Sequence, residues 1–143
     1  MSMSHETGKL YILDSFALLA FLGGEAGMER VQEVLQAAKR RQAHAHMPSI
    51  CLGEVLYITE RERGLSVAQK TLAAIEQMPI DILDATRPRV LAAAHIKANF
   101  RVSYADAFAV AAAQEIGATV LTGDPEFAAV ESATVIHVEW LPR

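Results

Sequence analysis

The sequence has a single cysteine, Cys51, no apolar run approaching the roughly 18 residues that a membrane-spanning helix needs, and no surplus of positive charge. Each shortage removes a class of protein. One thiol forbids an internal disulfide and fits a reducing compartment, so a cytoplasmic location and no membrane span are expected. At the N-terminus no basic start leads into an apolar core of secretory type. Residues 1–8 read instead as a polar, disordered lead to one domain over residues 9–143. With 13 Lys and Arg against 17 Asp and Glu, the net charge is −4, which argues against binding nucleic acid through one broad basic face. It leaves room for a nuclease, whose acidic metal site adds negative charge of its own. C-x-x-C and H-E-x-x-H spacings are absent, so His44, His46, Cys51 and His95 make a weak zinc set. A phosphoryl-accepting site centred on Asp14 ranks lower still, because no second Asp follows two residues later.

What the chain does contain is apolar material: 52% hydrophobic residues against 21% charged, enough for a core and for apolar surface beyond it. Stretches such as Ile50 to Ile58 and Val90 to Ile96 fit burial against another chain. Short β-branched runs alternate with longer segments of helical period, the pattern of repeated βα units. The expected fold is α/β, a parallel sheet of about five strands flanked by helices on both faces. Strands are expected at Leu10 to Leu13, Ala43 to Met47, Ile80 to Leu83, Thr119 to Leu121 and Val135 to Val138. Helices are expected at Ser15 to Leu22, at Glu25 to Gln42, from just after Pro48 and Ser49 to Gly64, and from a Ser66–Gln69 capping box to just before Pro79. Two more should run from Thr86 to about Asn99 and from Ser103 to Gly117.

Four carboxylates stand out against this frame. Asp14 directly follows the first strand, and Asp124 follows Thr119 to Leu121 with only Thr122 and Gly123 between. Both sit at carboxyl ends of strands, where open parallel sheets form ligand sites. Glu54 and Asp106 each lie about one turn into a helix and can face the same crevice. Ordinary structural roles compete: Asp14 and Asp124 can cap helices, Asp106 can pair with Ser103 in a capping box, and Glu54 can be a solvated helix residue. Capping does not explain why Glu54 and Asp106 interrupt strongly apolar helices. Two ionised carboxylates about 4 Å apart repel by about 4 kcal/mol at an effective dielectric near ~20. No Lys or Arg lies in either apolar stretch, so the natural counter-charge is a hard divalent cation such as Mg²⁺ or Mn²⁺.

Tyr11-Ile12-Leu13-Asp14-Ser15, Glu54 before Val55-Leu56, Ala105-Asp106-Ala107 and Leu121-Thr122-Gly123-Asp124-Pro125-Glu126-Phe127 together resemble the ordered acidic motifs of PIN domains. The resemblance runs from Tyr11 to Phe127, and the short single-domain form is most similar to the VapC toxins of bacterial and archaeal toxin–antitoxin pairs. It implies RNA cleavage dependent on Mg²⁺ or Mn²⁺, homodimerisation, and inhibition by a VapB-type antitoxin. On this reading Asp14, Asp106 and Asp124 bind metal, Glu54 binds metal or orients a water, and Thr122 matches the family's hydroxyl before the last Asp. Ser15 and Glu126 are supporting candidates; many members place a small polar residue where this chain has Phe16. The competing reading is a PIN-like module without cleavage that serves as an RNA-binding or scaffold protein, against which the presence of all four acids speaks.

Overall fold

The computed structural model describes residues 8–133 and 135–142, so the lead expected over residues 1–8 lies, but for Gly8, outside the described residues. Twelve elements follow in order: β1 (Lys9–Leu13), α1 (Ser15–Leu22), α2 (Met28–Lys39), β2 (Ala43–Pro48), α3 (Ser49–Arg63), α4 (Leu65–Glu76), β3 (Ile80–Leu83), α5 (Arg87–Asn99), α6 (Tyr104–Ile116), β4 (Thr119–Thr122), α7 (Phe127–Ser132) and β5 (His137–Trp140). All strand pairings are parallel, and the sheet order is β3-β2-β1-β4-β5. The expected five-stranded α/β fold is therefore found.

The order reverses direction at β1. Parallel crossovers are right-handed, so the connections from β1 through β3 and those leading to β4 and β5 place their helices on opposite faces. Accordingly α2 packs on β2, while α6 spans β1, β2 and β4. Central strands enclosed this way read as continuous apolar runs: Ile12, Leu13, Val120 and Leu121 are wholly buried. The reversal also opens a crevice beyond the carboxyl ends of β1 and β4.

Several boundaries differ from expectation, each for a local reason. The last strand lies at His137–Trp140 rather than at Val135 to Val138, because its ladder pairs His137 with Thr119 and Trp140 with Thr122. Helix α2 starts at Met28, after Gly27 turns left-handed (φ 97°) against Leu141, and stops at Lys39, two residues before Arg41 adopts φ 61°. The Ser66–Gln69 capping box is not formed: Gly64 starts α4 one residue early, and no side chain caps it. Ser103 and Gly117 do bound α6 as expected, Gly117 in the left-handed conformation (φ 69°). Among the described residues no helix is long and apolar enough to cross a membrane.

One contact positions the chain after β4. A Cβ on Gly123 would lie 2.4 Å from Cε1 of Phe16, so the ring of the residue two beyond Asp14 occupies the space a side chain would need. Gly123→Ala is expected to destabilise the fold by about 1–3 kcal/mol through overpacking. Combined with Phe16→Leu, the loss should fall below the sum of the single losses. Denaturant titration of the four proteins checks this; an alanine variant as stable as wild type contradicts it.

Candidate metal centre

Asp14 ends β1 and caps α1, its Oδ1 accepting the Ala17 N–H at 2.9 Å. The cap occupies only one oxygen. Oδ2 accepts the Thr122 hydroxyl at 2.5 Å, and that hydroxyl oxygen accepts the Asp124 N–H at 2.9 Å. A single side chain at the end of β4 thereby ties both strand-end acids together. Asp14 is completely buried, and burial raises its pKa from 3.8 to about 7. The bonds from Thr122 and Ala17 work against that rise, and the nearby charges of Asp124 and Glu54 add to it.

Asp124 is followed by a turn in which its Oδ1 accepts the Glu126 N–H at 2.9 Å, and α7 begins at the next residue. Asp106 lies in the first turn of α6, where its N–H donates to the Ser103 hydroxyl at 3.1 Å. Its carboxylate does not return the bond, because the Ser103 N–H donates to Glu126 Oε1 at 3.0 Å. Asp106 is only 3% exposed, and its buried Oδ2 has no hydrogen-bond partner among the described residues. Burial first, then the adjoining Glu126 and Asp124, push the Asp106 carboxyl up, whereas the adjoining Asp106 and the Ser103 N–H hold Glu126 below its usual range.

The structure thus brings Asp106, Asp124 and Glu126 together, with one carboxylate oxygen from each within 4.8 Å of the others. Asp14 joins through Thr122. Glu54, half-buried on α3, accepts a hydrogen bond from the Ser15 hydroxyl. Among the described residues no His or Cys belongs to such a grouping. Cys51 is buried in α3 with its thiol against the Ala105 carbonyl, whereas His44 and His46 lie in β2 and join no such grouping among the described residues. An all-oxygen donor set containing an orphaned buried carboxylate oxygen suits a hard cation of the Mg²⁺ or Mn²⁺ type. The part of Glu126 that local pattern leaves out is its hold on Ser103, 23 residues back; the turn spacing Asp124-Pro125-Glu126 is the only signal near it.

A family model described as PIN domain matches residues 11–133. No curated protein matches the sequence. Among solved structures, VapBC2 from Rickettsia felis, bound to a DNA fragment from its promoter, superposes with a TM-score of 0.70 at 16% identity, covering 93% of this chain and 99% of that one. DNA-bound VapBC from Salmonella typhimurium gives 0.68 at 17% identity, with 92% and 97% covered. VapC20 of Mycobacterium tuberculosis, a toxin that cleaves the sarcin-ricin loop, gives 0.67 at 16%, with 84% and 94% covered. At these identities the likeness is one of fold.

The raised pKa of Asp14 has a direction that can be tested. Unfolded, the group loses its proton near 3.8; folded, it keeps it to about 7, so its contribution to stability falls as pH rises between those values. In EDTA, Asp14→Asn should therefore gain stability relative to wild type steadily across that window and no further above it. Denaturation midpoints at a series of pH values check this, and a difference independent of pH contradicts it.

Proposed function

Because this chain belongs to the PIN domain family, we propose that it is a metal-dependent ribonuclease, the toxin of a VapBC-type pair acting in the cytoplasm. The observation that carries the reading is the buried, unpartnered Oδ2 of Asp106, set beside the carboxylates of Asp124 and Glu126 at the mouth of the β1–β4 crevice. Ionised, that oxygen would be a buried charge that no N–H or hydroxyl of the described residues meets, and a cation held between these carboxylates would offset that cost.

Asp106 and Asp124, with Asp14, would hold the Mg²⁺ or Mn²⁺. When bound, the cation supplies a water of lowered pKa and positive charge for the phosphodiester under attack. The protein's share is orientation. Thr122 keeps Asp14 and Asp124 at a fixed separation, and its bond leaves Asp14 with no freedom to turn away. Glu54, which accepts the Ser15 hydroxyl, would bind the metal or orient the attacking water. The desolvation that raises Asp14 and Asp106 is relieved once a cation replaces their protons, so binding should release protons at neutral pH.

Partners follow from the same reading: a VapB-type antitoxin and a second copy of the chain, as the VapBC complexes of similar fold suggest. An apolar groove of about 570 Å³, lined in part by Pro48, Leu83, Phe108 and Ala111, and the exposed Leu91 on α5 offer surface for such a chain to cover. The groove includes none of the clustered acids.

Purified protein should degrade single-stranded RNA with Mn²⁺ or Mg²⁺ and stop on adding EDTA. Asp106→Asn and Asp14→Asn should each lower that rate by about 100-fold or more while still folding. Induced expression of wild type, but not of Asp106→Asn, should arrest growth. Cleavage by Asp106→Asn at the wild-type rate sinks the assignment; RNA binding without cleavage under any divalent cation supports the scaffold reading instead.

A further inference from the structure

Resting on the metal-site reading above, we propose that Glu126 is a positioning residue of that site: by accepting the Ser103 N–H it takes over the return half of the α6 capping box and frees the Asp106 carboxylate to face the ion. In a capping box the N-cap hydroxyl accepts the N–H three residues on, and the side chain of that third residue folds back to the N-cap N–H. Ser103 performs its half, with Oγ 3.1 Å from the Asp106 nitrogen. The return bond comes from another element altogether. Glu126, in the turn before α7, places Oε1 3.0 Å from the Ser103 nitrogen.

Two consequences follow from this exchange. Asp106 has a donor within its own helix turn that it would ordinarily take, yet its Oδ2 is buried and unpartnered, with the residue only 3% exposed. The second consequence is registration. The Glu126 N–H donates to Asp124 Oδ1 while its side chain holds the start of α6. One residue therefore sets both Asp124 and the helix end that carries Asp106, although these arrive from β4 and α6. One oxygen from each of the three carboxylates lies within 4.8 Å of the others. Lys97, the cation whose charge reaches Glu126, is itself bonded to the Val102 carbonyl at 2.9 Å, which keeps it beside the same helix start.

The test measures Mn²⁺ affinity directly, by paramagnetic resonance or calorimetry, alongside thermal unfolding. Glu126→Gln keeps an acceptor for the Ser103 N–H and should bind Mn²⁺ within about threefold of wild type. Glu126→Ala lets Asp106 fold back onto Ser103, so binding should weaken by about ten- to a hundredfold, the range expected when a partner that orients a ligand is removed. Its melting temperature should change little, because the Ser103 N–H is satisfied again by Asp106; a purely structural cap would show the opposite pair of results. Wild-type affinity in Glu126→Ala overturns the proposal, and so does equal weakening in Glu126→Gln, which would mean that the charge and not the acceptor matters. Asp106→Asn in the same titration separates the two failures. Lost binding there beside an unaffected Glu126→Ala overturns the positioning role alone, whereas unchanged binding there overturns the metal-site reading and this inference with it.

Discussion

The hydroxyl of Thr122, donating to Asp14 and accepting from the Asp124 backbone, joins the two strand ends on which the acidic crevice is built. Carboxylates gathered out of water repel one another and lose their hydration, and both effects are strong where the surroundings are apolar. A neutral donor between them lowers that cost without cancelling the charge. A lysine at the same place would neutralise Asp14 outright and close the site to a cation. The remaining cost is visible in the direction of the pKa shifts: Asp14 and Asp106 are both raised, with desolvation the largest cause for each.

Placing those strand ends side by side is the work of the topology. With the order β3-β2-β1-β4-β5, β1 and β4 are neighbours although more than a hundred residues separate Leu13 from Leu121, and the connections on either side leave toward opposite faces. The core makes the arrangement rigid. Ile12, Leu13, Val120 and Leu121 are inaccessible to solvent, and Phe16 fills the space over Gly123. Helix α6, buried from Asp106 to Ala113 and composed there largely of alanine, lies close enough to the sheet and to its neighbours to bring its first turn to the crevice.

How much of this is legible in the sequence depends on whether the determining contact is local. β1 and β4 are read correctly because strands enclosed on both faces must be apolar throughout, and the acids that follow them are then placed by counting. Ser103 and Gly117 are legible for the same reason, since a cap and a left-handed terminator act within one turn. β5 is read two residues early: Val135 and Ile136 supply the apolar signal, while the ladder with β4 takes in His137 and Glu139, whose polarity reflects an edge strand. Ser66 fails for a competing local reason, the earlier start permitted by Gly64 (φ 92°). The link from Glu126 to Ser103 leaves only the turn spacing Asp124-Pro125-Glu126 as a local trace, because it joins the turn after β4 to the start of a helix 23 residues earlier.

Capping and ligand binding, which look like alternatives when the acids are considered one at a time, are compatible because each carboxylate oxygen has two lone pairs and can accept one hydrogen bond while still offering a site to a ligand. Asp14 caps α1 with one and meets Thr122 with the other. Asp124 uses Oδ1 for the turn that starts at Glu126 and still belongs to the acidic grouping. These local bonds fix the rotamers of Asp14 and Asp124 before any ligand arrives, which is what a site needs if it is to bind without reorganising. Asp106 is the exception that exposes the rule. It is the acid relieved of its return bond by a residue from elsewhere in the chain, and the one left with a buried, unpartnered oxygen. Helix capping alone gives no reason to bring Glu126 across to Ser103 when Asp106 stands three residues away; the cation proposed between Asp106 and Asp124 would.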